Sequence, residues 1–291
     1  MLALGESSSR ERNMATTSND TPTRTVDVAG TPFTYREVGA ADAMPLVLLH
    51  HFTAVLDEWD PALLDGLAAE RRVIVVDNRG VGGSGGETPD SVDAMAADIV
   101  GFLGALGLSQ VDMLGFSLGG MVAQVIAQTR PDVLRRIILA GTSPAGDKGP
   151  AGTGHLLQAA LQKAEEQGKH PKHFLFFTPS PAGQAAADAL LARLGERKDR
   201  DEPVSDRTIA AQLTALAKWE RETSPTGLTA VRQPALVVNG DDDVMLPTRN
   251  SFHLAELLPD ARLSIYPDAG HGSIFQFHDL FVQQALDFLR R

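Results

Sequence analysis

Cysteine is absent from the 291 residues, which excludes a disulfide framework, thiolate catalysis and cysteine-based metal sites. Basic residues are in the minority, 26 Lys and Arg against 37 Asp and Glu, for a net charge of −11. No basic stripe interleaved with aromatics occurs. Nucleic acid and an anionic membrane surface are therefore not expected as partners. No apolar run approaches a membrane span, and Leu2-Ala3-Leu4 is far too short for the apolar region of a signal peptide. The chain is expected in the cytoplasm. Apolar material is ample: 43% hydrophobic residues suffice for one large globular core.

Residues 1–24 are rich in Ser, Thr and charge, and read as a disordered tail, an extension ahead of a start at Met14. Thr25 to Ala29 and Pro32 to Val38 then read as a hairpin around Ala29-Gly30-Thr31. Leu46 to Leu49 and Val73 to Val76 are continuous apolar runs of the kind buried on both faces of a sheet. Between them a helix is expected to hold Trp59, Leu63, Leu64 and Leu67, started by Asp57 or by Asp60-Pro61. Val92 to Leu106 repeats apolar residues at helical spacing and closes on Gly107. Arg136 to Ala140, Ala235 to Gly240 and Arg262 to Tyr266 are further strands, with helices over Thr248 to Leu258 and Ser273 to Leu289. Strands alternating with helices predict a mostly parallel sheet covered on both faces.

Gly80, Gly82 and Gly85 spell a dinucleotide-type glycine pattern. A pyrophosphate, however, needs such glycines to open a helix directly. Pro89 and a cap at Ser91 intervene here, so a tight surface loop is expected and no cofactor.

The α/β rhythm breaks between residues 144 and 227. Helical patterns over His155 to Gln167, Gly183 to Leu194 and Ser205 to Glu222 replace the strands. They predict a helical lid inserted into a core of residues 25–143 and 228–291. Phe174-Leu175-Phe176-Phe177 and Trp219 are available to wall an apolar pocket beneath it, although packing within the lid is the plainer use of any one ring.

The most informative stretch runs from Val111 to Ala127. An apolar strand enters Gly115-Phe116-Ser117-Leu118-Gly119, and a helix-forming run follows at once from Gly120. A serine lifted out of a sheet on so sharp a turn brings the residues two before and two after it almost into contact, so both want to be glycine. The same turn sets the Leu118 amide at a helix N-terminus, where it can bind an oxyanion. A serine hydroxyl becomes a useful nucleophile only beside a base, and that base needs a carboxylate to fix its tautomer. The Asp241-Asp242-Asp243 cluster and His271 each follow a predicted strand. Loops from separate segments converge at those carboxyl ends, giving the order Ser, Asp, His.

With these features the chain resembles the α/β-hydrolase superfamily over about Thr25 to Arg291. The matching residues are His50, Asp77-x-Arg79-Gly80-x-Gly82, the elbow at Gly115 to Gly120, Asn239-Gly240-x-x-Asp243 and Gly270-His271-Gly272. It looks closest to the small-lidded group of cofactor-free haloperoxidases, 3-oxoadipate enol-lactonase and related esterases. The resemblance implies an eight-stranded, mostly parallel sheet with helices on both faces. It also implies Ser117 as nucleophile, His271 as base and Asp243 as orienting acid, with Asp241 and Asp242 as bystanders. The remaining histidines, His253, His278 and those of the lid, read as surface or structural groups. Relatives usually carry His-Gly at the strand end, where this chain has His50-His51. The second oxyanion amide then falls to Phe52, beside Leu118. The His51 ring either turns outward, the plainer reading, or narrows the pocket and meets substrate. His51, Phe176, Trp219 and Met245 are the candidate substrate contacts.

The implied activity is hydrolysis of a small carboxylic ester or lactone through an acyl-enzyme, without metal or other cofactor. Carbon–carbon bond hydrolysis and cofactor-free perhydrolysis share the same triad. A slow-turnover ligand receptor would also keep it. Dehalogenases and epoxide hydrolases of this fold use aspartate at the elbow, and Ser117 argues against both. Nothing in the sequence specifies an oligomeric state.

Overall fold

The structure, a computed structural model, describes residues 17–149, 152–221 and 227–291. Eight strands form one sheet in the order β1-β2-β4-β3-β5-β6-β7-β8. They are β1 Arg24–Val28, β2 Thr31–Val38, β3 Pro45–Leu49, β4 Arg72–Val76, β5 Val111–Phe116, β6 Leu134–Ala140, β7 Ala235–Gly240 and β8 Ala261–Tyr266. β2 runs antiparallel to both β1 and β4, and the other neighbours are parallel.

Side chains along each central strand alternate between two cores. Val47, Leu49, Ile74, Val76, Met113 and Ile137 face one layer with helices α2 (Val92–Ala105), α3 (Leu118–Thr129), α7 (Asp206–Arg221) and α8 (Arg249–Leu257). Leu46, Leu48, Val73, Val75, Leu114 and Ile138 face the other, with α1 (Pro61–Ala68), α6 (Pro181–Leu194) and α10 (His278–Arg290). Each of these side chains is at most 2% exposed, so each contributes roughly 1.5–3 kcal/mol of hydrophobic stabilisation. The sheet is pinned from both sides, and its strand ends are held rigidly enough to carry a site.

Helix starts follow local chemistry. Ser91 caps α2 through the Ala94 amide, and Ser180 caps α6 through the Gly183 amide, with Pro181 in the first turn. Asp60 caps α1 the same way, through the Ala62 amide, and its fully buried carboxylate also takes both arms of Arg193 from α6 at 2.8 and 2.6 Å. That pair ties the helices inserted between β6 and β7, namely α4 (Thr153–Gln167), α5 (Lys172–Leu175), α6 and α7, to the first helix of the sheet layers.

Some local expectations change. Trp59 precedes α1 and is not part of it, because Pro61 is the helix's first residue. The terminal helix is two pieces, α9 (Ser273–Gln276) and α10, broken at Phe277. The four-residue α5 has no counterpart in the sequence reading. Of the expected tail, residues 1–16 lie outside the described residues, as does Glu222 at the expected end of α7. Residues 17–23 are seated, however: Ser18 is buried and its amide donates to Asp65 of α1 at 2.8 Å. Among the described residues no helix is long and apolar enough to cross a membrane.

The loop after β4 wraps a carboxylate. Asp77, fully buried, accepts from Thr34 Oγ1 at 2.9 Å and from the Leu56 amide at 3.1 Å. Gly82 sits at φ +51°, where a Cβ would lie 2.4 Å from Asp77 Oδ2. Closeness to this aspartate excludes a side chain at Gly82, whereas Gly80 and Gly85 lie against Thr88 and Pro32.

Candidate active site

β5 ends in Phe116, and the next residue, Ser117, takes φ +56° and ψ −117° before α3 begins at Leu118. A non-glycine residue there stores roughly 1–3 kcal/mol of backbone strain, so neighbouring structure must hold it. The Ser117 amide donates to the Ala140 carbonyl at 2.9 Å, and Thr142 Oγ1 donates to the Ser117 carbonyl at 2.8 Å. A Cβ on Gly115 would meet the Gly119 carbonyl oxygen at 2.4 Å, and one on Gly119 would meet that of Leu49 at 2.2 Å. The strand, the turn and the helix can approach this closely only with glycine at both positions.

β7 and β8 are parallel neighbours, and the loops leaving them meet. His271 Nδ1 lies 2.8 Å from Asp243 Oδ2, with both side chains buried. The other carboxylate oxygen accepts the Met245 and Leu246 amides at 2.8 and 2.9 Å, so Asp243 is fixed before it meets the imidazole. A carboxylate accepts, so Nδ1 carries the proton and the neutral ring keeps its lone pair on Nε2. That Nε2 is buried and has no hydrogen-bond partner among the described residues. Asp241 and Asp242 are exposed and tie the turn to Ala269.

Ser117 and His271 line one cavity of 220 Å³, whose walls include His51, Phe52, Thr153, Lys172, Phe176 and Met245. Leu118 opens α3, so its amide belongs to the helix's unpaired first turn. The Phe52 amide makes no hydrogen bond among the described residues. Phe52 and Ser117 thus border the same space, and the Leu118 amide follows directly on Ser117.

His51 turns inward, against the plainer expectation. It is 7% exposed and stands edge-on to the rings of Phe116 and Phe176, at centroid distances of 5.2 and 5.1 Å. An outward turn would leave the space against these rings empty. Burial, and then the Lys172 ammonium, holds its imidazole well below the usual histidine range. His50 behaves differently. Its Nδ1 accepts from the Trp59 indole at 2.9 Å and its Nε2 lies 3.3 Å from Asp77, which makes it part of the scaffold.

The remaining candidates divide. Phe176 and Met245 are in the cavity wall; Trp219 is not. It sits on α7 in the opposite core layer, its indole donating to the Ser143 carbonyl at 3.2 Å. Helical periodicity fixed its stripe but not the face of the sheet that the stripe covers. Phe174 and Phe177 border a separate groove with Gln184 and Thr178. An unforeseen feature is the ion pair between Glu58 and Lys172, 2.6 Å long, with the Lys172 ammonium 4.9 Å from the Phe176 ring centroid. Burial alone would raise the Glu58 carboxyl, but the Lys172 charge and hydrogen bond bring it down to about 2. His170, read as a surface or structural group, also borders the cavity. No local motif marks any of the three. Among the described residues no cluster of His, Asp and Glu is arranged to hold a metal ion.

Comparison with known proteins agrees with this architecture. A family model described as alpha/beta hydrolase fold matches residues 44–277. A solved alpha/beta hydrolase fold protein from Chitinophaga pinensis is 43% identical with a TM-score of 0.90, over 94% of this chain and 98% of that one. A RutD protein of Rhizobium rhizogenes, named as a proposed carbamate hydrolase, is 27% identical over 86% of this chain and 94% of its own length. A pimeloyl-(acyl-carrier protein) methyl ester esterase of Nitrosomonas europaea is 27% identical over 81% of this chain and 92% of its own. With the matched model spanning the sheet from β3 to α9, the chain belongs to the alpha/beta hydrolase fold family.

Proposed function

We propose that this hydrolase cleaves small carboxylic esters or lactones through an acyl-enzyme on Ser117. The observation that carries the reading is the His271 imidazole, oriented by Asp243 at 2.8 Å and left with an unpartnered, buried Nε2 in the cavity that Ser117 borders. His271 Nε2 takes the Ser117 proton as Oγ attacks the carbonyl carbon, and Asp243 stabilises the imidazolium that results. The Phe52 and Leu118 amides receive the developing oxyanion. His271 then gives its proton to the leaving alcohol. It next activates water against the acyl-enzyme, regenerating Ser117 and releasing the acid.

The helices between residues 144 and 227 act as a lid. A cavity of 220 Å³ with Phe176, Leu157 and Met245 in its walls suits a short substrate, and the methyl ester esterase relative supports the ester class. Short-chain aryl esters should be hydrolysed faster than long-chain lipids, and a fluorophosphonate should label Ser117. A folded Ser117→Ala protein should neither turn over ester nor take the label. Wild-type protein that does neither would overturn the reading.

A further inference from the structure

The hydrolytic cycle leaves one group in the cavity unused. His51 Nδ1 lies 2.8 Å from the Phe52 carbonyl oxygen. A carbonyl can only accept, so Nδ1 bears the proton and the neutral ring carries its lone pair on Nε2. The ring stays neutral because it is buried and faces the Lys172 ammonium; Glu58 and His271 are the other titratable groups nearby. Nε2 is buried and has no hydrogen-bond partner among the described residues. Lys172 is turned to Glu58 and to the face of Phe176. The rings of Phe116 and Phe176 hold the imidazole in place on two sides. The result is a rigid acceptor on a residue that lines the cavity, one residue before the amide that borders the reacting carbonyl. Leaving such an acceptor unsatisfied is costly.

We propose that His51 Nε2 reads the substrate, accepting a hydrogen bond from a hydroxyl or N–H group that the ester carries close to its reacting carbonyl. This rests on the ester-hydrolase reading and narrows its substrate class to donor-bearing esters or lactones. A site with a buried acceptor discriminates against an analogue lacking the donor, because the analogue strands that acceptor.

The test compares aryl esters of 2-hydroxypropanoate, 2-methylpropanoate and 2-methoxypropanoate. The methyl compound matches the hydroxy ester in shape, and the methoxy compound matches it in inductive effect. Each kcat/KM is divided by the rate of hydroxide hydrolysis. The hydroxy ester should lead both others by about tenfold in wild type, the size of one neutral hydrogen bond. In His51→Phe, checked for folding by circular dichroism, the ratios should fall to about one. Kd ratios measured by calorimetry in folded Ser117→Ala protein should show the same preference without chemistry. Equal rates in wild type, or a preference that survives His51→Phe, would overturn the proposal and leave Nε2 to a buried water only. If no ester is hydrolysed, the function reading fails, and the Kd ratios still decide the subsite. If His51→Phe does not fold, the hydroxy against methoxy comparison in wild type decides it.

Discussion

The loops after β3 and β8 each deliver a buried histidine to the same cavity, and their chemistry diverges at one atom. Both rings have Nδ1 engaged and, among the described residues, Nε2 unpartnered. His271 Nδ1 meets a carboxylate, whereas His51 Nδ1 meets a backbone carbonyl and faces the Lys172 ammonium. A carboxylate stabilises the imidazolium that forms when a base takes a proton. A carbonyl does so far less, and an adjacent cation opposes it. One histidine is therefore equipped to receive a proton and the other only to accept a hydrogen bond. The partner on the far side of the ring sets the role.

The largest expected effect breaks this difference. Asp243→Asn should cut kcat by about 10⁴, because an amide can hold the ring in the wrong tautomer, with the far-UV spectrum unchanged. A loss under tenfold would mean that the carboxylate is not what separates the two histidines. Next comes Gly119→Ala, which forces a Cβ to 2.2 Å from the Leu49 carbonyl where the elbow crosses the end of β3. Backbone cannot yield there as a side chain would. The expected cost is more than about 3 kcal/mol, at the severe end for point mutants, read as a lowered denaturation midpoint. An unchanged midpoint would show that the two loops are not locked together.

Two smaller effects test the electrostatics around His51. In Lys172→Met the cation that opposes protonation is gone, so His51 should titrate at higher pH than in wild type by NMR, while remaining buried. No movement would show that Lys172 does not help keep the ring neutral. Glu58 is held at about 2, below its ordinary 4.5. Its pairing therefore stabilises the fold fully above about pH 4.5, and that contribution is lost as pH falls toward 2. The stability gap between wild type and Glu58→Gln should accordingly be constant from neutral pH to about 5 and narrow below it. A gap independent of pH would contradict the pairing.

How much of this was legible in sequence depends on how locally it is encoded. The sheet was readable because buried parallel strands are short, continuous apolar runs, and the elbow because Gly115 and Gly119 flank Ser117 within five residues, although the contact that excludes a side chain at Gly119 is with Leu49 of β3. The Asp241–Asp243 cluster and His271 could be placed at strand ends from the pattern of strands, while the choice of Asp243 within the cluster came from the family resemblance. The Glu58–Lys172 pair could not be placed, since it joins residues 114 positions apart that lie on a three-residue 3-10 helix (Leu56–Glu58) and a four-residue helix, both too short to show periodicity. Trp219 went to the wrong side of the sheet for a related reason: a helix's apolar stripe does not say which of two cores it covers. The inward turn of His51 is set by Phe116 and Phe176, and Phe176 lies far along the chain.

The most direct test of the central claim is the rate at which a fluorophosphonate modifies Ser117, followed by mass spectrometry in wild type, His271→Ala and His51→Phe. The account predicts that His271→Ala slows modification by at least about a thousandfold, while His51→Phe stays within about tenfold of wild type. Modification of His271→Ala at the wild-type rate, or an equal loss in both variants, would contradict it.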